Sequence, residues 1–137
     1  MGTTNYINTL IEIAEDCPVA IGEIPPLRGK KKSAATYQYE MLLDNPYAFT
    51  SDDVLFSTFA LRKEIPQEEW EEARQAFFAK DQPCFRASPL PKRYGWGIHS
   101  NAEGKIAMFS RDSAEYQLLI ADESVMKKKA MRSKRAK

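Results

Sequence analysis

The sequence predicts an α+β domain in which an antiparallel sheet of about four strands packs against helices. Three observations carry that expectation. A β-branched run opens the chain, apolar residues recur at helical spacing through its middle third, and from Pro83 the period drops to two.

In the first of these, Tyr6-Ile7-Asn8-Thr9-Leu10-Ile11-Glu12-Ile13, the side chains Ile7, Thr9, Ile11 and Ile13 share one face, which reads as a strand. Residues 15–32 follow as a loop, because Cys17-Pro18, Pro25-Pro26 and Arg28-Gly29-Lys30-Lys31-Lys32 suit neither regular structure. Ser33 is placed to cap a helix over 34–44 carrying Ala34, Tyr37, Met41 and Leu42, which Asn45-Pro46 ends. Thr50-Ser51-Asp52-Asp53 supplies cap oxygens and negative charge to a second helix running to about Lys63. Pro66 opens a third, with acids near its positive end and Trp70, Ala73 and Phe77 along its buried stripe.

The period-two region divides into strands at 83–88, 93–99 and 105–110, the last two joined through Ser100-Asn101-Ala102-Glu103-Gly104. Alternation puts Phe85, Ala87, Trp96, Ile98, Ile106 and Met108 toward the core. A short helix bearing Tyr116, Leu119 and Ile120 follows Asp112-Ser113. The domain is therefore expected to occupy residues 1–126, with 127–137 a mobile basic tail. That tail holds seven cations and no acid, while the other 13 basic and 19 acidic residues leave 1–126 at −6.

No apolar run is long enough to cross a bilayer, the N-terminus does not read as a signal peptide, and Tyr6 spoils a myristoylation signal at Gly2. No membrane partner is expected. Cys17 and Cys84 make no disulfide framework, so a cytoplasmic location is the default. One histidine and two distant cysteines offer no metal-ligand spacing, and neither a metal nor another cofactor is expected.

The face opposite the core would carry Cys84, Arg86, Ser88, Gly95, Gly97, His99 and Lys105, with Lys92 and Arg93 at its edge. Glycines permit close backbone approach and arginine forks suit carboxylate or phosphate. The leading expectation is thus a small binding domain recognising an anionic small molecule through Arg86, Ser88, Lys92, Arg93, Gly95, Gly97, His99 and Lys105. The bland reading, favoured for the glycines, is that they admit a neighbouring element.

A tight connection through Pro89-Leu90-Pro91 would set Cys84 opposite His99, and a two-residue shift would set it opposite Gly97. The first register defines the competing enzyme reading, in which Cys84 and His99 are catalytic and the imidazolium activates the thiol. A third reading gives the tail nucleic-acid phosphates, although no recognised module accompanies it and a solubilising or internally paired tail is favoured. Arg28-Gly29-Lys30-Lys31-Lys32-Ser33 superficially resembles a phosphate loop. The spacing of Gly22 and Gly29 is wrong for one, and no apolar strand precedes it, so no nucleotidase assignment follows. A helix N-terminus with basic neighbours there can still hold an anion.

The runs Thr3-Thr4-Asn5-Tyr6, Ala14-Glu15-Asp16-Cys17-Pro18, Thr50-Ser51-Asp52-Asp53-Val54-Leu55-Phe56, Lys92-Arg93-Tyr94-Gly95-Trp96-Gly97-Ile98-His99 and Lys129-Ala130-Met131-Arg132-Ser133-Lys134-Arg135 resemble a small bacterial family catalogued as a domain of unknown function. The resemblance spans nearly the whole chain. It implies a single domain of bacterial type and brings no activity, cofactor or catalytic residue with it.

Overall fold

The computed structural model describes residues 2–27 and 29–133. In chain order its elements are β1 (Thr9–Glu12), α1 (Ala34–Asp44), β2 (Phe49–Thr50), α2 (Ser51–Arg62), α3 (Trp70–Phe78), α4 (Pro89–Arg93), β3 (Trp96–Ser100), β4 (Lys105–Ser110), α5 (Ala114–Ala121) and β5 (Met126–Lys129). Short 3-10 turns at Gln67–Glu69 and Phe85–Ala87 precede α3 and α4. The strands form one sheet in the order β2-β4-β3-β1-β5. Every pairing is antiparallel except β1 with β5, so the fold is α+β with a mostly antiparallel sheet.

The helix starts follow from local chemistry. Ser33 Oγ accepts from Thr36 N–H at 3.3 Å and caps α1. Thr50 and Asp53 form a reciprocal capping box at α2, at 3.1 and 3.0 Å, and each satisfies a backbone N–H that the helix leaves without a partner. Ser113 caps α5 through Tyr116 N–H.

Both faces of the central strands are covered. On one, Ile11, Ile98 and Ile106 pack with Leu42, Val54, Phe85 and Leu90, and Trp96 and Met108 lie against that cluster. On the other, Leu10 and Ile13 pack with Tyr116 and Val125, with Phe109 and Leu119 beside them. Neighbouring β1 residues Leu10 and Ile11 are therefore both buried, as a strand between two layers requires.

Two expectations need correction. Residues 83–88 are not a strand: Cys84 precedes the 3-10 turn, Ser88 Oγ accepts from Leu90 N–H, and Pro89 begins α4. Phe85 still reaches the core, but from a turn. Nor is 127–137 wholly a tail. Residues 126–129 are β5, paired from Thr9↔Met126 to Glu12↔Lys129. Met126 and Ala130 N–H donate to Asn8 and Glu12 carbonyls, each at 2.8 Å. Lys129, its last residue, and Arg132 beyond it both pair with Glu15. The rest of the expected tail, 134–137, lies outside the described residues.

Candidate functional site

The residues expected to form one surface separate into four environments. His99, in β3, stands opposite Leu10 on one side and Ala107 on the other. Its Nδ1 lies 2.8 Å from the Tyr47 hydroxyl, and the two rings meet edge to face. Tyr47 holds a left-handed backbone, φ +58°, that non-glycine residues seldom adopt, while its N–H donates to Ile106 carbonyl. Burial holds the imidazole pKa below its ordinary value, with Asp122 opposing weakly.

Cys84 has a different partner. Its Sγ lies 3.2 Å from the Tyr6 hydroxyl, and burial, followed by that contact, raises the Tyr6 pKa. The Cys84–His99 pair does not form, because the segment expected to carry Cys84 alongside β3 turns into α4 instead. The glycines serve packing. A Cβ on Gly97 would lie 2.3 Å from the Tyr116 ring, and one on Gly95 would lie 2.8 Å from Ile21 carbonyl, at φ +76°. The glycine floor is thus covered by α5 and by the loop after β1.

Arg86 Nε donates to Lys129 carbonyl at 2.7 Å and its own carbonyl accepts from Met131 N–H, which ties down the end of β5. Ser88 is buried and donates to Gln38 at 2.6 Å. Lys105 pairs opposite Thr50 at the β2 side of the sheet. Lys92 and Arg93 end α4. Arg93, of this set, lines a sizeable opening.

That opening is a groove of about 1080 Å³ at the N-terminus of α1. Lys30, Lys31 and Lys32 enter it from the loop, Arg62 from the last turn of α2, and Arg93 from α4. Among the described residues Glu64 is the one carboxylate on its wall; Tyr37, Leu61, Pro89 and Tyr94 give it apolar surface. Lys32 pairs with Glu40 at 2.8 Å, which raises its pKa, and its Nζ sits 5.6 Å from the Tyr37 ring centre. The first turn of α1 holds no acid. Its helix dipole therefore adds to the positive potential of Lys30, Lys31, Arg62 and Arg93, with Lys32 held by Glu40.

A family model described as a family of unknown function (DUF6157) matches residues 1–136. The chain belongs to that family. No curated protein and no solved structure matches it. Among the described residues no cluster of metal-ligating side chains occurs, and no helix is long and apolar enough to cross a membrane. Also among the described residues, no buried side-chain polar atom lacks a partner, so none on the covered glycine face marks a ligand position.

The groove escapes a motif search because its cations are far apart in sequence. Arg62 and Arg93 meet the lysine run only through the packing of α1 on α2 and α4. The local signal is Lys30-Lys31-Lys32 leading into the cap Ser33. The chain's Ser88-Pro89 pair, a cap followed by proline in the first helical position, likewise signals α4.

The His99 environment has a pH consequence. A histidine whose folded pKa is depressed costs nothing above its unfolded value of about 6.5. Stability then declines as pH falls from that value toward the folded pKa, because the unfolded chain binds the proton more readily. In urea unfolding between pH 7 and pH 5, His99→Gln is expected to lose stability less steeply than the parent. Parallel slopes would contradict burial as the controlling influence.

Proposed function

We propose that this chain is a small cytoplasmic binding domain of bacterial type that recognises an anionic group, and that the anion enters the groove at the start of α1. The observation that carries the reading is the convergence of Lys30, Lys31, Lys32, Arg62 and Arg93 on one concavity beside a helix N-terminus. Guanidinium groups offer paired donors to phosphate or carboxylate, and lysines add mobile charge. Free Cys17 and Cys84 support the reducing compartment. The 84–105 surface is a poorer seat for the anion, since its glycines lie under Tyr116 and the loop. The alternatives have less support: Cys84 faces Tyr6 rather than His99, and Lys129 and Arg132 are engaged with Glu15 rather than presented together.

Titration with sodium pyrophosphate, followed by amide chemical shifts, tests this. Saturable shifts are expected at residues 30–36 and 93–94, with a Kd below about 1 mM. Lys31→Glu with Arg93→Glu is expected to weaken binding by on the order of tenfold or more, and added salt to weaken it in the parent. Absence of saturable shifts in the parent would refute the groove as an anion site.

A further inference from the structure

We infer that the anion this groove meets is the headgroup layer of an anionic lipid surface, and that the loop before α1 inserts aliphatic side chains beside it. The inference rests on the anion reading above and adds the identity of the partner. Its observation is a different one. Ile21, Ile24 and Leu27, within the residues leading into the lysine run, are 52 %, 72 % and 55 % exposed.

Their exposure is not that of a slack loop. Gly22 N–H donates to Ser110 Oγ at 2.8 Å, Glu23 N–H to Tyr94 carbonyl at 2.8 Å, and Trp96 Nε1 to Glu23 carbonyl at 2.8 Å. Pro25 is buried, and Pro26 forms part of the groove wall. The backbone is fastened at Gly22 and Glu23, and the exposed Ile21, Ile24 and Leu27 belong to the same loop that brings Pro26 and the lysines to the groove. Leu61, on the groove wall, is exposed as well.

This pairing of chemistries selects among polyanions. A free phosphate needs the cations and makes no use of aliphatic side chains. Nucleic acid favours aromatic platforms on which bases stack, whereas Ile21, Ile24 and Leu27 have no π-face. An interface of phospholipid headgroups and acyl chains uses both: lysines are drawn by the negative surface potential, and aliphatic groups bury into the acyl boundary. Glu64 on the groove wall opposes the attraction and Glu40 already pairs with Lys32, which leaves Lys30, Lys31, Arg62 and Arg93 to outweigh Glu64. The absence of a spanning helix does not bear on this mode, which lies on the surface.

Cosedimentation of the full chain with vesicles tests it. Partition is expected onto phosphatidylcholine vesicles containing phosphatidylserine and not onto phosphatidylcholine alone. Ile24→Ser with Leu27→Ser, both at exposed positions that folding tolerates and neither altering the net charge, is expected to lower partition by on the order of tenfold. The same variant is expected to keep the pyrophosphate shifts. A parent that binds pyrophosphate yet stays in solution with phosphatidylserine vesicles would overturn the lipid partner and leave the anion groove standing. Loss of both would remove both. Unchanged partition of the double variant would overturn insertion.

Discussion

Phe85→Ala is expected to destabilise the fold by about 3–5 kcal/mol, the range for truncating a buried aromatic. Phe85 is 1 % exposed and sits in the main cluster with Leu42, Val54 and Ile98. The 3-10 turn that carries it is fixed on both sides, by Ala87 N–H to Cys84 carbonyl at 3.0 Å and by Ser88 at the cap of α4. The cavity would therefore have little freedom to collapse. Against a total stability of about 5–15 kcal/mol, the urea midpoint should fall steeply with the slope unchanged. An exposed neighbour, Pro83→Ala, should leave the midpoint near the parent's. A loss below about 1 kcal/mol at Phe85 would mean that the turn is not anchored as described.

Gly97→Ala, a change of one methyl group, is expected to cost about 1–3 kcal/mol by overpacking. The added Cβ would lie 2.3 Å from the Tyr116 ring. That ring cannot swing aside freely, because its hydroxyl accepts from Ile13 N–H at 2.9 Å and the side chain is 4 % exposed. Displacing it would leave a buried N–H without a partner, which costs a further ~1–3 kcal/mol. Tyr116→Leu alone should also destabilise, through the same lost bond. The two changes together should cost less than their sum, since the smaller side chain vacates the space the methyl needs. Strict additivity in a double-mutant cycle would show that Tyr116 is not what fills the glycine position. This result also separates the packing role of the glycine stripe from a ligand-binding one.

Much of the secondary structure was legible because its determinants are local. Ser33, the Thr50–Asp53 box and Ser113 act on N–H groups two or three residues away, so the starts of α1, α2 and α5 can be read without knowing the fold. Two elements were misread because pattern and local chemistry disagreed. Phe85 and Ala87 alternate with polar residues, but Ser88-Pro89 sets a helix start that ends any strand there. Met126-Lys127-Lys128-Lys129 has no apolar period, yet its backbone completes the sheet against β1. Edge strands rich in lysine are a known way to block further pairing, and backbone hydrogen bonds do not require apolar side chains.

The site divides along the same line. Local sequence marks Lys30-Lys31-Lys32 before a cap as a place where an anion can sit, and it places Trp96, Ile98, Ile106 and Met108 on one buried face. What it could not decide is which cations share a concavity, whether the opposite face is open, and which partner Cys84 meets. Those depend on contacts between residues tens of positions apart. α2 and α4 bring Arg62 and Arg93 to the groove, α5 lays Tyr116 over Gly97, and the turn before α4 points Cys84 at Tyr6. Capping and periodicity act over a few residues, and one sequence determines them. Burial and charge convergence arise only when the layers close, and so the tertiary structure alone settles them.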